Sequence, residues 1–241
     1  MPVYNTISHE IAATLRDEIL SARYLAEDRL PSERDLASRF GASRGAVREA
    51  ISQLEQLGLI RVLPGGARVQ AIESASLAIL GPLLALDNSP NPDLVDHFLR
   101  TFAVMAALTG KMALEKATDE ELNRIDELLV NLSDHTGRFV DFEPHLRELY
   151  EYLSAIADNL VVRLIGNDLK AQFVEQMMEL GLRPAVSSAV NNQLVKSLQI
   201  AAGKRDGDMA AEAIQEHFDA LRSASIDSLS AIHRTFEKEA V

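Results

Sequence analysis

Apolar residues recur three and four positions apart along most of the chain: Ile7, Ile11, Leu15, Ile19 and Leu20, then Leu36, Ala37 and Phe40, then Val47, Ala50, Ile51, Leu54 and Leu57. This is the spacing of helices with one buried stripe. It predicts helices over 7–22, from Ser32 to Phe40 and from Ser43 to Leu57, with Tyr24–Arg29 as a short extended connection. After Leu57-Gly58 the period becomes that of a strand. Leu59–Leu63, the turn Pro64-Gly65-Gly66 and Ala67–Gln70 predict a β-hairpin. Small residues from Ala71 to Ser76 mark a joint. Beyond it only helical periodicity is found: a helix over 76–87 bent at Gly81-Pro82, a loop over 88–92, then helices over 92–116, from Thr118 to 134, and over 141–157, 160–180, 186–203 and 207–236. The expected fold is mainly α, with an N-terminal three-helix and hairpin domain over 1–72, a linker over 73–77 and an all-α bundle of six to seven helices over 78–241.

Local signals sharpen the N-terminal part. Ser32 with Asp35 makes a capping-box pattern, Gly41 suits a left-handed helix end, and Ser43 suits the N-cap of the next helix. Two short helices joined by such a turn and followed by a hairpin form a winged helix-turn-helix. Arg44 and Arg48 lie one turn apart at the start of its second helix, with only Gly45 and Ala46 between them on that side. A helix start that offers guanidinium groups and little bulk fits the DNA major groove. Arg34 is placed to reach a phosphate. Gly65-Gly66, with Arg68 nearby, lets the wing backbone approach DNA closely. Taken singly, each feature also reads blandly: solvated arginines on a surface helix, and a tight glycine turn.

Charge divides the chain as the periodicity does. The net charge is −12, which for the whole chain argues against nucleic acid as a partner. Residues 1–72, however, carry nine arginines, no lysine and nine acids, so the entire excess lies in the remainder. Arginine suits forked contacts to phosphate and guanine. Cysteine is absent, which excludes disulfides and thiolate metal sites. The start, MPVYNTISHE, lacks the pattern of a secretory leader, and no apolar run reaches the roughly 18 residues of a membrane span. A cytoplasmic protein with no membrane partner is expected.

The segment Leu30-Pro31-Ser32-Glu33-Arg34, Leu36-Ala37, Gly41-Ala42-Ser43-Arg44, Val47-Arg48-Glu49-Ala50, Leu54, Gly58-Leu59 and the glycine wing resembles the winged helix-turn-helix of the GntR family of bacterial transcription regulators. The resemblance implies that Arg34, Arg44 and Arg48 contact DNA, with Ser43, Gly45 and the tip Gly65-Gly66 alongside; Ala46 and Arg68 complete the expected surface. The tip departs from the family. Pro64 precedes and Ala67 follows the glycines, where relatives often carry a polar or basic residue.

The helical part resembles the FadR-like subfamily, whose effector domain is called FCD. The matching features are its length and helix count, Leu99-Arg100, Asn159, Ala201, Asp206 and His217. This implies a bundle around a ligand cavity, in many members with a divalent metal held by an Asp-x-x-x-His pair and two later histidines. Here those positions fall on Leu146, Tyr150 and Val195, and His217 alone remains. One histidine falls short of the roughly three protein ligands such a site needs. No metal or other cofactor is therefore expected. The alternative register is Asp141 and His145 with His217, but Pro144 between the first two suits a helix start. Arg100, Tyr150, Val195 and His217 are expected to line the effector cavity. For Arg100 two readings stand: an anchor for an acid effector, or an ion pair with an internal carboxylate. For His217 they are a ligand contact or a packed residue with one hydrogen bond. Phe173 and Met177-Met178 read as core.

These readings converge on a sequence-specific regulator, a repressor, that binds a near-palindromic double-stranded operator as a homodimer and is switched by a small molecule. The effector is a small carboxylic acid or a fatty acyl-CoA. Loss of the metal ligands resembles the acyl-CoA-responsive branch, but Phe218-Asp219-Ala220-Leu221 does not match its glycine–serine–tryptophan pattern, and the chain has no tryptophan. A metal-dependent organic-acid sensor of the same family is the alternative. A protein-binding scaffold is the reading from another class. No carboxylate pair, nucleophile–base arrangement or phosphate-cradling loop points to an enzyme.

Overall fold

A computed structural model describes residues 6–86, 91–170 and 184–239. In the N-terminal part, helix α1 (Ile7–Leu20) turns Ile11, Leu15 and Ile19 onto α3 (Arg44–Gln56), which answers with Val47, Ala50 and Leu54. The short helix α2 (Glu33–Phe40) inserts Leu36 into the same core. Its ends follow the sequence signals. Ser32 Oγ accepts the Asp35 amide at 3.3 Å, and Gly41 closes the helix at φ 60°, ψ 30°. Ser43 Oγ then caps α3 by accepting the Ala46 amide at 3.2 Å. Such a cap contributes about 1 kcal/mol. Glu18 of α1 is buried and takes two bonds from Arg39 of α2, at 2.5 and 2.8 Å, and one from Arg23 at 2.5 Å. The Arg39 hydrogen bond holds its carboxyl below the usual range against the opposing effect of burial.

Strands β1 (Ile60–Leu63) and β2 (Gly66–Val69) form the antiparallel wing, with Ile60 opposite Val69, Arg61 opposite Arg68, Val62 opposite Ala67 and Leu63 opposite Gly66. The segment expected to be a plain connection joins this sheet. Glu27 N donates to Val69 O, Val69 N to Asp28 O and Leu30 N to Ala67 O, at 2.9–3.0 Å, and Arg29 bridges to Arg68. At Gly58, φ is +75° and a Cβ would meet Ser74 O at 2.6 Å, so the chain leaving α3 can pass the segment after the wing only as glycine.

After the wing come two single turns, Ile72–Ser74 and Leu77–Ile79, and a short helix, α4 (Leu80–Ala85). The expected bend at Gly81-Pro82 lies inside α4, where proline occupies the first turn, as helices tolerate. Ile79 is buried in the N-terminal core, with Leu83 packed against it. The chain accordingly divides into two compact units, residues 1–88 and 89–241. The joint expected at 73–77 therefore lies within the first unit, because the apolar side chains that follow it return to that core.

The second unit contains, among the described residues, α5 (Pro92–Lys116), α6 (Asp119–Ser133), α7 (Phe139–Ala157), α8 (Leu160–Leu169), α9 (Ser188–Lys204) and α10 (Gly207–Glu239). Helix α5 packs on α10 and α7, while α9 lies against α10 and α6. Leu114, Leu129, Phe142, Leu149 and Ile214 are at the centre of the core. Thr118 and Glu121 make the predicted reciprocal box at the start of α6, and Asn159 caps α8 through the Val162 amide at 3.2 Å. Part of the predicted loop over 88–92, the later half of the predicted helix over 160–180, and Phe173, Met177 and Met178 lie outside the described residues. No helix among the described residues is long and apolar enough to cross a membrane.

Candidate nucleic-acid interface and effector cavity

The stripe Val47–Ala50–Leu54 is fully buried, which fixes the opposite face of α3 outward. That face presents Arg44, Gly45 and Arg48, all exposed, with Ala46 half-buried at its edge and Ser43 exposed at the cap. A Cβ at Gly45 would meet nothing nearer than Ser43 Oγ at 3.7 Å. Glycine is thus not demanded by packing there; what it does is keep the helix start flat. Arg34 is exposed in the first turn of α2. Arg34 and Arg44 have no carboxylate partner among the described residues. Arg48 differs, since its Nε donates to Glu33 Oε2 at 2.8 Å. Both side chains are well exposed, so the pair adds little stability. Its effect is to aim the guanidinium from α2 while leaving the two terminal nitrogens free.

The wing is fixed to α3 by Glu55, whose Oε1 accepts the Val62 amide at 2.8 Å. Its tip, Gly65 at φ +109° and Gly66 at φ +125°, takes a backbone that side chains resist. Arg68 is exposed but spends one nitrogen on Glu27 O at 2.8 Å. Glu33 and Glu55 were not legible as site residues. Their partners lie on other elements, so no helical or strand period links them.

In the helical unit, Val195 and Leu146 belong to the main core, Tyr150 packs against that core, and His217 is buried. Phe218 joins them: its ring centroid is 6.0 Å from that of Tyr150 and 5.9 Å from that of His217, and Phe142 lies 5.8 Å from His217. Tyr150 Oη, His217 Nδ1 and Asn191 Oδ1 are buried without a hydrogen-bond partner. Burial pushes the His217 pKa down to about 4 and the Tyr150 phenol far up, so both are neutral near pH 7. His217 also lines a cleft of about 140 Å³ between α9 and α10, with Val190, Leu194, Ser197, Ala213 and Glu216.

Arg100 does not share this site. Its side chain is 60% exposed and its Nε donates to Asp96 Oδ2, one turn back, at 2.6 Å. Of its two readings the ion pair holds, though at the surface. The more buried arginine is Arg222, which bonds the other oxygen of Asp96 at 2.6 Å from α10. Asp96 is held below its usual pKa by Arg100 first and then by Arg222. In the alternative metal register, Asp141 is engaged by Arg138 at 2.7 and 3.0 Å, and His145 lies against His135 with the rings tilted by 32° and centroids 3.9 Å apart. The structure does not bring either to His217: among the described residues no group of three His, Asp or Glu side chains is placed to hold a metal.

Known proteins carry the same two parts. Residues 7–69 match the model of bacterial regulatory proteins, gntR family, and residues 99–220 match the FCD domain. The transcriptional repressor NanR of Cronobacter sakazakii is 27% identical over 217 residues, 85% of this chain and 80% of that one. The fatty acid metabolism regulator protein of Pasteurella multocida is 28% identical over 60% of this chain and 59% of its own. An HTH-type transcriptional regulator of Mycobacterium tuberculosis is 32% identical over 50% of this chain, which spans about half (49%) of that relative. Among solved structures, Lar, which controls expression of the Listeria monocytogenes agr system, shares the fold, with a TM-score of 0.53 at 17% identity over 92% of this chain and 97% of that one. The chain belongs to the GntR family of bacterial regulatory proteins, as a DNA-binding transcriptional regulator of FadR-like arrangement with an FCD effector domain.

Proposed function

We propose that the protein is a repressor that binds a near-palindromic operator as a homodimer and is released or retained by a small molecule held in the helical unit. The observation that carries the DNA part is the pair of unpartnered arginines, Arg34 and Arg44, beside an outward helix start of glycine and alanine. Arg44 and Arg48 read base edges; Arg34 holds phosphate. The name repressor given to NanR supports repression, and the fatty acid metabolism regulator supports a link to acid metabolism. The effector part rests on Tyr150 Oη and His217 Nδ1, whose rings both lie against Phe218. Two buried polar atoms without partners each cost roughly 1–3 kcal/mol, and a ligand that bonds them removes that cost. The effector is a small carboxylic acid or an acyl-CoA. A carboxylate bound beside the buried His217 draws a proton onto it. Effector and operator are coupled through the dimer, each changing the other's affinity by the same factor.

The test is Arg44→Ala against the parent on a duplex selected by the parent from random DNA. Specific binding is expected to weaken by roughly 1–3 kcal/mol, concentrated at one base pair of each half-site. A protein-binding scaffold predicts no selected duplex and no effect. Equal binding by the variant would overturn the assignment of α3 as the reading helix.

A further inference from the structure

The wing tip lacks the polar or basic residue that relatives often place beside its glycines, yet the fold supplies one from elsewhere in the chain. Arg29 lies in the segment before α2, which runs along β2 with Arg29 bridged to Arg68. Arg68 in turn is opposite Arg61 on β1. Directly opposed residues project from the same side of a sheet, so Arg29, Arg68 and Arg61 form one rung of three arginines. All three are exposed, whereas the flanking Leu30, Ile60, Ala67 and Val69 are buried; the rung is therefore on the outer face of the wing. From this rung Arg29 reaches toward the tip. Its Nε and Nη2 lie 2.9 and 3.2 Å from where a Cβ on Gly66 would stand, so the glycine is what gives the guanidinium its seat.

Like charges opposed on a sheet are destabilising. Among the described residues no carboxylate offsets them, although acids are at hand. Arg16, Arg23, Arg39 and Arg48 each hold a carboxylate, of Asp17, Glu18 or Glu33. Asp28, adjacent to Arg29, is turned instead to the Leu25 amide at 2.8 Å. Among the described residues no carboxylate comes within ion-pair distance of Arg29, Arg61 or Arg68. Among the described residues of this unit, arginines without a carboxylate thus fall in two places: the starts of α2 and α3, with Arg34 and Arg44, and this rung. We propose that the rung is the wing's phosphate-binding surface, with Arg29 as its tip cation gripping the DNA backbone beside the half-site read by α3. The proposal rests on the DNA-binding reading of α3.

The experiment measures the binding constant of the full chain for the parent-selected duplex across a salt series. Each phosphate contact contributes about 0.9 to the magnitude of the slope of log K against log salt. Each substitution removes one contact from each half-site of the dimer's operator, so Arg29→Ala and Arg61→Ala are each expected to lower that magnitude by about 1.8, and each variant loses about twelvefold less affinity than the parent between 0.05 and 0.2 M salt. Arg29→Lys keeps the charge and is expected to keep the parent slope while Arg29→Ala lowers it, a split that a purely structural role for Arg29 would not predict. If the parent selects no duplex, the DNA-binding reading falls and this one with it. If Arg44→Ala weakens binding as expected while Arg29→Ala and Arg61→Ala keep the parent slope, the wing assignment alone is overturned.

Discussion

His217 shows how a single side chain couples burial to pH. It is 3% exposed and its Nδ1 has no partner, and burial lowers its pKa from 6.5 to about 4. Between these two values the unfolded chain takes up a proton that the folded chain refuses, so folding stability falls as pH drops through the window and is fully present above it. The size is roughly 3 kcal/mol for a shift of this order. Urea midpoints of the parent and of His217→Gln, measured near pH 7 and near pH 4, should diverge, the parent losing more. Glu18 acts lower on the scale: its depressed carboxyl adds stability that disappears as pH falls below the usual carboxylate range, in both proteins alike. Equal losses in the two proteins would mean that His217 is not a buried neutral group. At this scale the sequence was only partly legible. That His217 lies on an apolar face follows from Ala213, Ile214 and Leu221 around it. That Arg100 turns outward to Asp96, while Arg222 takes the half-buried position, depends on which helix faces which, and periodicity within one helix does not contain that information.

Between elements, close approach of backbones decides what a residue costs. Gly203 and Gly207 are four residues apart, on either side of the turn from α9 to α10, and the same substitution is expected to act oppositely on them. A Cβ at Gly207 would lie 2.8 Å from Lys111 O, a backbone atom of α5 that cannot step aside, while a Cβ at Gly203 meets nothing within 4 Å. Gly207→Ala should therefore destabilise by roughly 1–3 kcal/mol through forced separation of α5 and α10. Gly203→Ala should stabilise by roughly 0.5–1 kcal/mol, by limiting the unfolded chain and favouring the helix. Denaturant midpoints of the two variants would show it, and a loss in both would refute the packing argument. Elements themselves were the most legible feature. Ser32, Gly41, Ser43, Thr118 and Asn159 mark helix ends through bonds that each residue makes within a few positions of itself. The third edge of the wing sheet was not legible, because Glu27–Leu30 pairs with residues some forty positions on and carries no alternation of its own.

For the whole molecule, the first question is where one unit stops. Small polar residues over 71–76 suggested a joint, but composition reports only that a segment need not be buried, and the packing of Ile79 into the first core extends that unit to residue 88. The family models leave residues 70–98 to neither domain. The two cores share no residue: Ile11, Leu36 and Leu54 belong to one, Leu129, Leu149 and Ile214 to the other. Charge nearly follows the same division: residues 1–88 carry nine arginines and eleven acids, a net −2, and residues 89–241 carry the remaining −10. A regulator needs two units whose stabilities can be biased separately, and hydrogen exchange can ask whether this chain has them. Leu36 and Leu129 are both fully buried, and truncating either to alanine should cost about 2–5 kcal/mol in its own core. Leu36→Ala should raise exchange across α1 to β2 and leave α5 to α7 at the parent rate; Leu129→Ala should do the reverse. Only in the first variant should DNA binding fail with the fold. Faster exchange spread evenly over both units in either variant would mean that the chain opens as one body, and that an effector in the helical unit acts by changing global stability instead of by setting the arrangement of two intact units.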